Sequence, residues 1–162
     1  MTRKEKAMKN FKSGYNCAQS LTLAFSDMVA VDEKTLAMLS SSFGGGIGRL
    51  REVCGAVSGM AMILGLVYGY DGPETGEPKS EHYKRIQTVA KEFEKKNGSM
   101  ICRELLGLSV KHDDPNAAAR TKEYYASRPC EELVGSAAEI LEQYIKKNNG
   151  KSEFHSDSLR LQ

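Results

Sequence analysis

The sequence predicts an all-α protein, folded as one compact bundle of about five to seven helices around a buried central helix. Three observations favour this fold class. Apolar residues recur at three- and four-residue spacing over most of the chain, as they do on one face of an α-helix. No segment alternates between apolar and polar residues in the manner of a half-buried strand. Residues that start and stop helices stand between the apolar segments.

Capping signals indicate where the N-terminal helices begin. Asn16 is followed three residues later by Gln19. This is a capping-box pattern, so we expect a helix over about residues 17–28. Asp32 is expected to cap the next, shorter helix, because a carboxylate at this position accepts from unpaired N–H groups. That helix should end at the serines and glycines of residues 40–46.

A longer, central helix is predicted over about residues 50–68. Its apolar residues occupy nearly the whole circumference, which is typical of a helix enclosed by its neighbours. It also contains Gly55, Gly59 and Gly65, although a glycine inside a helix costs roughly 1 kcal/mol relative to alanine. We therefore expect a close approach to its backbone, either by another helix or by a group bound near Cys54.

Two further helices are predicted after this central segment. A long one should cover about residues 80–96 and stop at Asn97–Gly98, since glycine readily ends a helix. Ser99 is expected to cap a short helix that contains Cys102.

Prolines mark the starts of the last two predicted helices. Asp114–Pro115 resembles an N-cap and a first helical residue, which predicts a helix to about residue 125. Pro129 should open the final helix in the same way. We divide the chain into a four-cysteine helical domain, residues 1–147, and a polar tail, residues 148–162. The tail is expected to dock on the domain or on a partner chain.

The charge balance argues against several classes of partner. The 162 residues include 23 basic and 21 acidic side chains, for a net charge of +2. A balance this even does not favour nucleic acid or a membrane surface. The longest apolar run is interrupted and too short to span a bilayer. The basic N-terminal residues are not followed by the apolar segment of a signal peptide. We therefore expect a cytoplasmic protein.

Four cysteines are the candidate functional residues: Cys17, Cys54, Cys102 and Cys130. A chain of this length folds without disulfides, so structural bridges are not required. The wide spacing contains no CxxC pair and no haem motif. All four fall near predicted helix starts, where unpaired N–H groups stabilise a thiolate and lower its pKa. Arg51, Arg103 and Arg128 lie near three of them and either add to this effect or are solvated.

Three interpretations of the cysteines remain open. Two pairs could cycle between dithiol and disulfide, as in a thiol-dependent oxidoreductase or an electron carrier, with Cys54 as the most reactive thiol. All four thiolates could instead bind one metal ion or an iron–sulfur cluster. In the third interpretation the protein is a helical interaction module, and the cysteines are small core residues.

A glycine-rich segment precedes the predicted central helix. Its N–H groups could hold an anion or donate to sulfur, and the candidate cofactor-binding residues are Gly45, Gly46 and Gly48. A dinucleotide-binding fingerprint would need a preceding strand, and here a helix comes first. The interpretation that we favour is a turn that lets two helices pack.

Five short motifs, taken in order, resemble those of one protein family. They are Tyr15–Ser20 (YNCAQS), Phe43–Gly48 (FGGGIG), Cys54–Gly59 (CGAVSG), Cys102–Gly107 (CRELLG) and Cys130–Leu133 (CEEL). The ordered set is similar to the C_GCAxxG_C_C family of redox-active proteins over about residues 11–145. The resemblance implies that the four cysteines form the functional set and that their role is redox. The resemblance identifies no redox partner. Separately, the apolar central helix and the tail make a homodimer plausible.

Overall fold

The computed structural model describes residues 1–73 and 76–149, which contain eight α-helices and a short 3-10 turn at Ser26–Met28. The helices are α1 (Arg3–Lys12), α2 (Cys17–Ala24), α3 (Glu33–Ser41), α4 (Gly55–Tyr68), α5 (Glu77–Asn97), α6 (Cys102–Leu105), α7 (Lys122–Ala126) and α8 (Cys130–Asn149). In these two ranges there is no β-strand, only an isolated antiparallel bridge between Val53 and Ile101. The predicted all-α class is confirmed.

The core lies between α1, α2, α4 and α8, which pack on one another, while α5 covers α4 and α8 and α3 packs on α2. The largest fully buried side chains come from α1 to α5 and α8 or the residues just after them, and include Phe11, Leu21, Phe25, Leu36, Met60, Ile63, Leu64, Phe93 and Leu141. Burial of this apolar surface drives the helices together. Cys54 and Cys130 belong to this core, Cys17 packs against it, and Cys102 lies near Cys17.

Local capping signals predicted several helix boundaries correctly. The Asn16 side chain accepts from the Gln19 N–H, and the Gln19 side chain accepts from the Asn16 N–H, so both bonds of the capping box are present. Asp32 accepts from the N–H of Thr35 at the start of α3. Gly98 ends α5 in the left-handed conformation, with φ of 90°. These boundaries depend on neighbouring residues alone, which is why the sequence predicts them.

The predicted central helix begins later than expected, at Gly55 rather than near residue 50. Ile47, Arg49 and Arg51 have φ values of 62°, 67° and 59°. Such positive values do not fit a right-handed helix. Residues 50–54 instead run beside residues 100–103, and long-range pairing there replaces the first turn that the apolar pattern predicted.

The glycines of α4 have different surroundings. A Cβ at Gly59 would lie 2.8 Å from Leu21 Cδ2, so helix α2 makes the close approach that the sequence predicts. A Cβ at Gly65 would meet nothing within 4 Å. The side chain of the neighbouring Leu66 is 44% exposed, so one side of α4 reaches the surface.

The helix predicted from Asp114–Pro115 is wrong, because residues 108–121 form no helix and α7 starts only at Lys122. The Asp114 side chain accepts from the N–H of Asn116 at 2.8 Å, which is a local turn that competes with helix. The carbonyl of Asp114 also accepts from Arg49 Nε at 2.7 Å. This long-range bond holds the segment extended beside the glycine-rich loop.

The predicted tail lies almost entirely outside the described residues. Helix α8 continues through Asn149, two residues further than the domain boundary at 147, and residues 150–162 are not described. Docking of the tail and dimerisation therefore stay predictions. None of the described helices combines the length and the apolar composition that crossing a bilayer requires.

Candidate thiol site

The fold brings together four cysteines that are remote in sequence. Cys17, Cys102 and Cys130 are the first residues of α2, α6 and α8, and Cys54 directly precedes α4. Cys17 and Cys130 lie close enough for each thiol to shift the pKa of the other, and Cys54 and Cys102 lie close enough to raise the pKa of Cys17 further. All four are free thiols, of which Cys17 is partly exposed and the others are buried.

Two glycines allow the cysteine-bearing segments to approach one another. A Cβ at Gly55 would lie 3.1 Å from the Cβ of Cys17. A Cβ at Gly46 would lie 2.7 Å from the Cβ of Cys102 and 2.6 Å from the backbone nitrogen of Glu52. The contacts at Gly46 are shorter than a real Cβ makes, and the contact at Gly55 is tighter than most, so both positions favour glycine. The glycine-rich loop therefore packs directly on Cys102.

Backbone hydrogen bonds hold Cys54 and Cys102 on adjacent segments. The N–H of Cys54 donates to the carbonyl of Met100 at 2.8 Å, and the N–H of Cys102 donates to the carbonyl of Glu52 at 2.6 Å. These bonds lie on either side of the Val53–Ile101 bridge. They fix the relative positions of two cysteines that are far apart along the chain.

Comparison with known proteins identifies the family. The model of the family described as "Putative redox-active protein (C_GCAxxG_C_C)" matches residues 15–144. The chain belongs to this family. The match includes all four cysteines, so the resemblance found in the ordered motifs is confirmed. No curated protein and no solved structure has significant similarity to the chain.

The glycine-rich loop of this C_GCAxxG_C_C protein is a tight turn. Gly45, Gly46 and Gly48 have φ values of 64°, 69° and 53°. The carbonyls of Gly45 and Gly46 accept from the N–H groups of Arg51 and Glu52, each at 3.1 Å. The geometry thus supports the turn that we favour from the sequence. A cofactor-binding role for the three glycines stays a prediction.

Cys17 and Cys130 differ sharply in acidity. The hydrogen bond from the Cys17 thiol, followed by the positive charges of Arg128, Arg120 and Arg51, lowers the pKa of Cys130 to about 7. The same hydrogen bond, together with burial, raises the pKa of Cys17 well above its ordinary value. At neutral pH Cys130 is therefore substantially ionised, while Cys17 keeps its proton.

Burial governs the other two cysteines. It raises the pKa of Cys54 to about 12, although the N–H groups of Ala56 and Val57 at the start of α4 favour the thiolate. It also raises the pKa of Cys102, against the opposing effect of Arg51. Burial therefore makes Cys54 less acidic than Cys130, and the greater reactivity predicted for Cys54 stays a prediction.

Arg51 is a buried cation at the centre of the site, with only 3% of its surface exposed. Its Nη1 lies 3.7 Å from the Cys102 sulfur, and its Nη2 donates to Asp113 Oδ2 at 2.9 Å. Its backbone is left-handed, an arrangement that costs a non-glycine residue about 1–2 kcal/mol. Surrounding contacts hold this conformation and so keep the guanidinium at the sulfur.

The other arginines near the cysteines have different roles. Arg128, which the sequence indicates because it lies two residues before Cys130, contributes positive charge at that thiol. Arg103 instead pairs with Glu52 at 2.9 Å. Arg120 was not predicted, because it lies ten residues before Cys130 and no local pattern connects them. Asp113, which holds Arg51, was missed for the same reason.

Within residues 1–73 and 76–149, no group of three or more His, Cys, Asp or Glu side chains is arranged to hold a metal ion. The four sulfurs share one region of the core without forming a common ligand set. The metal-ion and iron–sulfur interpretations therefore gain no support from this geometry and stay predictions.

Replacing Arg51 with glutamine is expected to raise the pKa of Cys102 and to lower the free energy of unfolding by about 1–3 kcal/mol. The variant removes the cation beside the sulfur and leaves buried groups without their charged partner. The pH dependence of Cys102 alkylation, read by mass spectrometry, and urea unfolding measure the two effects.

Arg49→Gln is the matched control for this prediction. Arg49 also has a left-handed backbone and pairs with Asp113 at 2.9 Å, but its hydrogen bonds go to Asp113 and Asp114. We expect the alkylation profile of Cys102 to be unchanged in this variant. Equal shifts in both variants would contradict a direct effect of Arg51 on the sulfur.

Proposed function

We propose that the protein is a thiol–disulfide redox protein in which Cys130 attacks and Cys17 resolves. The observation that supports this is that two cysteines remote in sequence lie near each other with opposite pKa shifts: the pKa of Cys130 is about 7 and that of Cys17 is well above its ordinary value. Membership of a family described as redox-active agrees with this assignment. A thiolate beside a protonated thiol is the arrangement that disulfide exchange requires.

The proposed reaction reduces an acceptor disulfide to two thiols. The Cys130 thiolate attacks one acceptor sulfur, so the acceptor S–S bond breaks and a mixed disulfide with Cys130 forms. The departing thiolate takes the proton of Cys17. The resulting Cys17 thiolate attacks the Cys130 sulfur and releases the second acceptor thiolate. The protein ends with a Cys17–Cys130 disulfide, having given two electrons to the acceptor.

The surroundings of Cys130 suit the attacking role. An attacking thiol works best when its pKa is near the ambient pH, because it is then ionised without losing much nucleophilicity. The first turn of α8 adds unpaired N–H groups beside this residue. At neutral pH Cys54 and Cys102 remain thiols, since burial raises the pKa of both, and so they are poorer attacking groups.

Mild oxidation of the reduced protein tests this proposal. After remaining thiols are blocked with N-ethylmaleimide, peptide mapping is expected to find a disulfide between Cys17 and Cys130. Alkylation of Cys130 by iodoacetamide should rise with pH and reach half its maximum near pH 7, since the thiolate reacts and its pKa is about 7. Cys102→Ser is the control and should leave both results unchanged.

Two outcomes would exclude this function. One is a disulfide that joins other cysteines in the oxidised protein. The other is a pH midpoint for Cys130 near that of an unperturbed thiol, about 8.5. Metal in the freshly purified protein, with all four thiols protected from alkylation, would favour the metal-binding alternative instead.

A further inference from the structure

Two arginines lie against the segments that carry the reacting cysteines. The guanidinium carbons of Arg120 and Arg128 are each 4.7 Å from the ring centroid of Tyr124. Arg128 stands two residues before the start of α8. Arg120 Nη2 donates to the carbonyl of Tyr15 at 3.2 Å, two residues before the start of α2. The contact with one tyrosine ring brings the two cations close to each other, and both act on the Cys130 thiol.

Among the described residues, the arginines of this region have few acidic partners. Arg49 and Arg51 share a single carboxylate, that of Asp113. In the described part of the chain, neither Arg120 nor Arg128 forms an ion pair. We call Arg51, Arg120 and Arg128 the arginine cluster.

Two donor atoms of the arginine cluster are buried without a partner. Arg51 Nε and Arg120 Nη1 have no hydrogen-bond acceptor among the residues that the structure describes, and the Arg51 side chain is 97% buried, being 3% exposed. A charged donor that is buried and unsatisfied loses its hydrogen bonds to water without replacement, which destabilises the folded state. In native proteins such groups are usually completed by a water molecule, an ion or a ligand, so the two donors are available to an acidic group that enters the site.

We propose that the arginine cluster binds the negative groups of a small acidic disulfide and guides its sulfur–sulfur bond to Cys130. This inference rests on the proposed function and names its substrate class. Guanidinium groups match carboxylate and sulfonate oxygens through paired N–H donors. A small molecule fits better than a disulfide on a folded protein, because Cys130 is only 7% exposed.

The arginine cluster also assists the chemical step. When Cys130 forms the mixed disulfide, the acceptor S–S bond breaks and a thiolate leaves, taking the proton of Cys17. The second acceptor thiolate leaves when Cys17 closes the protein disulfide. Both departing groups carry their own acidic substituents, so fixed positive charge beside the sulfurs stabilises the charge that develops.

Rates of oxidation by three disulfides of different charge test this inference. The reagents are 3,3′-dithiodipropionate, which is anionic, bis(2-hydroxyethyl) disulfide, which is neutral, and cystamine, which is cationic. We expect the anionic reagent to oxidise the protein at least about tenfold faster than the cationic one at low salt. The ratio of the oxidation rates with the anionic and the cationic reagent reports charge selection alone. The ionised fraction of Cys130 and the folded fraction of the protein are the same in every reaction, so they cancel from this ratio.

Substitutions of single arginines test which residues cause the preference for the anionic reagent. Arg120→Gln and Arg128→Gln should each lower the anionic-to-cationic ratio about threefold to tenfold. Arg85→Gln is the matched control, because Arg85 also lies over a tyrosine, 5.4 Å from the Tyr68 centroid, but on α5. It should leave the ratio unchanged. In the unmodified protein, about 0.5 M salt should reduce the ratio, and this measurement does not depend on how any variant folds.

The outcomes separate this inference from the proposed function. Equal rates with all three reagents, together with formation of the Cys17–Cys130 disulfide, would overturn charge selection and leave the redox assignment intact. If the anionic-to-cationic ratio of rates falls as much in Arg85→Gln as in Arg120→Gln and Arg128→Gln, the role of the arginine cluster is also overturned. If no reagent produces a disulfide in the unmodified protein, both the redox assignment and its substrate class are refuted.

Discussion

Replacing Gly46 with alanine is expected to lower the free energy of unfolding by about 2–5 kcal/mol and to displace Cys102. The backbone at Gly46 is left-handed, with φ of 69°, and an added Cβ would lie 2.6 Å from the Glu52 nitrogen and 2.7 Å from the Cys102 Cβ. One of these obstacles is backbone, which cannot rotate aside. Urea unfolding followed by circular dichroism measures the loss.

Gly48→Ala separates the two causes of that loss. Gly48 is also left-handed, with φ of 53°, but a Cβ there would meet nothing within 4 Å. Its cost should therefore be the conformational part alone, about 1–2 kcal/mol. The rate of Cys102 alkylation should change in the Gly46 variant and should equal that of the unmodified protein in the Gly48 variant. Equal stability of the two variants would refute close packing of the loop on Cys102.

Replacing Cys130 with serine is expected to slow oxidation by a small disulfide at neutral pH by about a hundredfold. With its pKa at about 7, roughly half of Cys130 is thiolate at pH 7, whereas a thiol with a pKa of about 12 is ionised to about one part in 100,000. The greater nucleophilicity of the more basic thiolate recovers only part of this difference. Thiol loss over time, measured with a chromogenic thiol reagent, gives the rate.

Two further serine variants make this prediction specific. Cys54→Ser should oxidise at the rate of the unmodified protein, because Cys54 is a buried thiol outside the reacting pair. Cys17→Ser should still react but stop at the mixed disulfide on Cys130, since the resolving sulfur is absent. If Cys130→Ser is oxidised as fast as the unmodified protein, or if only Cys54→Ser is oxidised more slowly, the attacking role belongs to another cysteine.

Sequence reasoning succeeded where neighbouring residues decide the structure. The capping box at Asn16 and Gln19 and the left-handed Gly98 are such cases. Each involves hydrogen bonds or backbone angles within one helical turn, so the residue types suffice to predict it. The family also follows from sequence, because its motifs keep their order along the chain.

Sequence reasoning failed where distant segments compete with local preference. The apolar residues near residue 50 favour helix, yet they pair with the segment around Ile101. Asp114–Pro115 has the pattern of a helix start, yet Arg49 binds the carbonyl of Asp114 across the fold. Such bonds join residues far apart in sequence, so the residue types within one segment do not predict them.

The sequence by itself determined the all-α class, several helix boundaries and the family, whose match includes the four cysteines. Only the tertiary structure decided that Cys130 meets Cys17, that Cys54 is sealed in the core, and that arginines from distant segments surround the pair. The physical reason is that thiol acidity depends on burial, on a hydrogen-bonded partner and on nearby charge. At this site all three depend on groups that only the packing of the helices brings together.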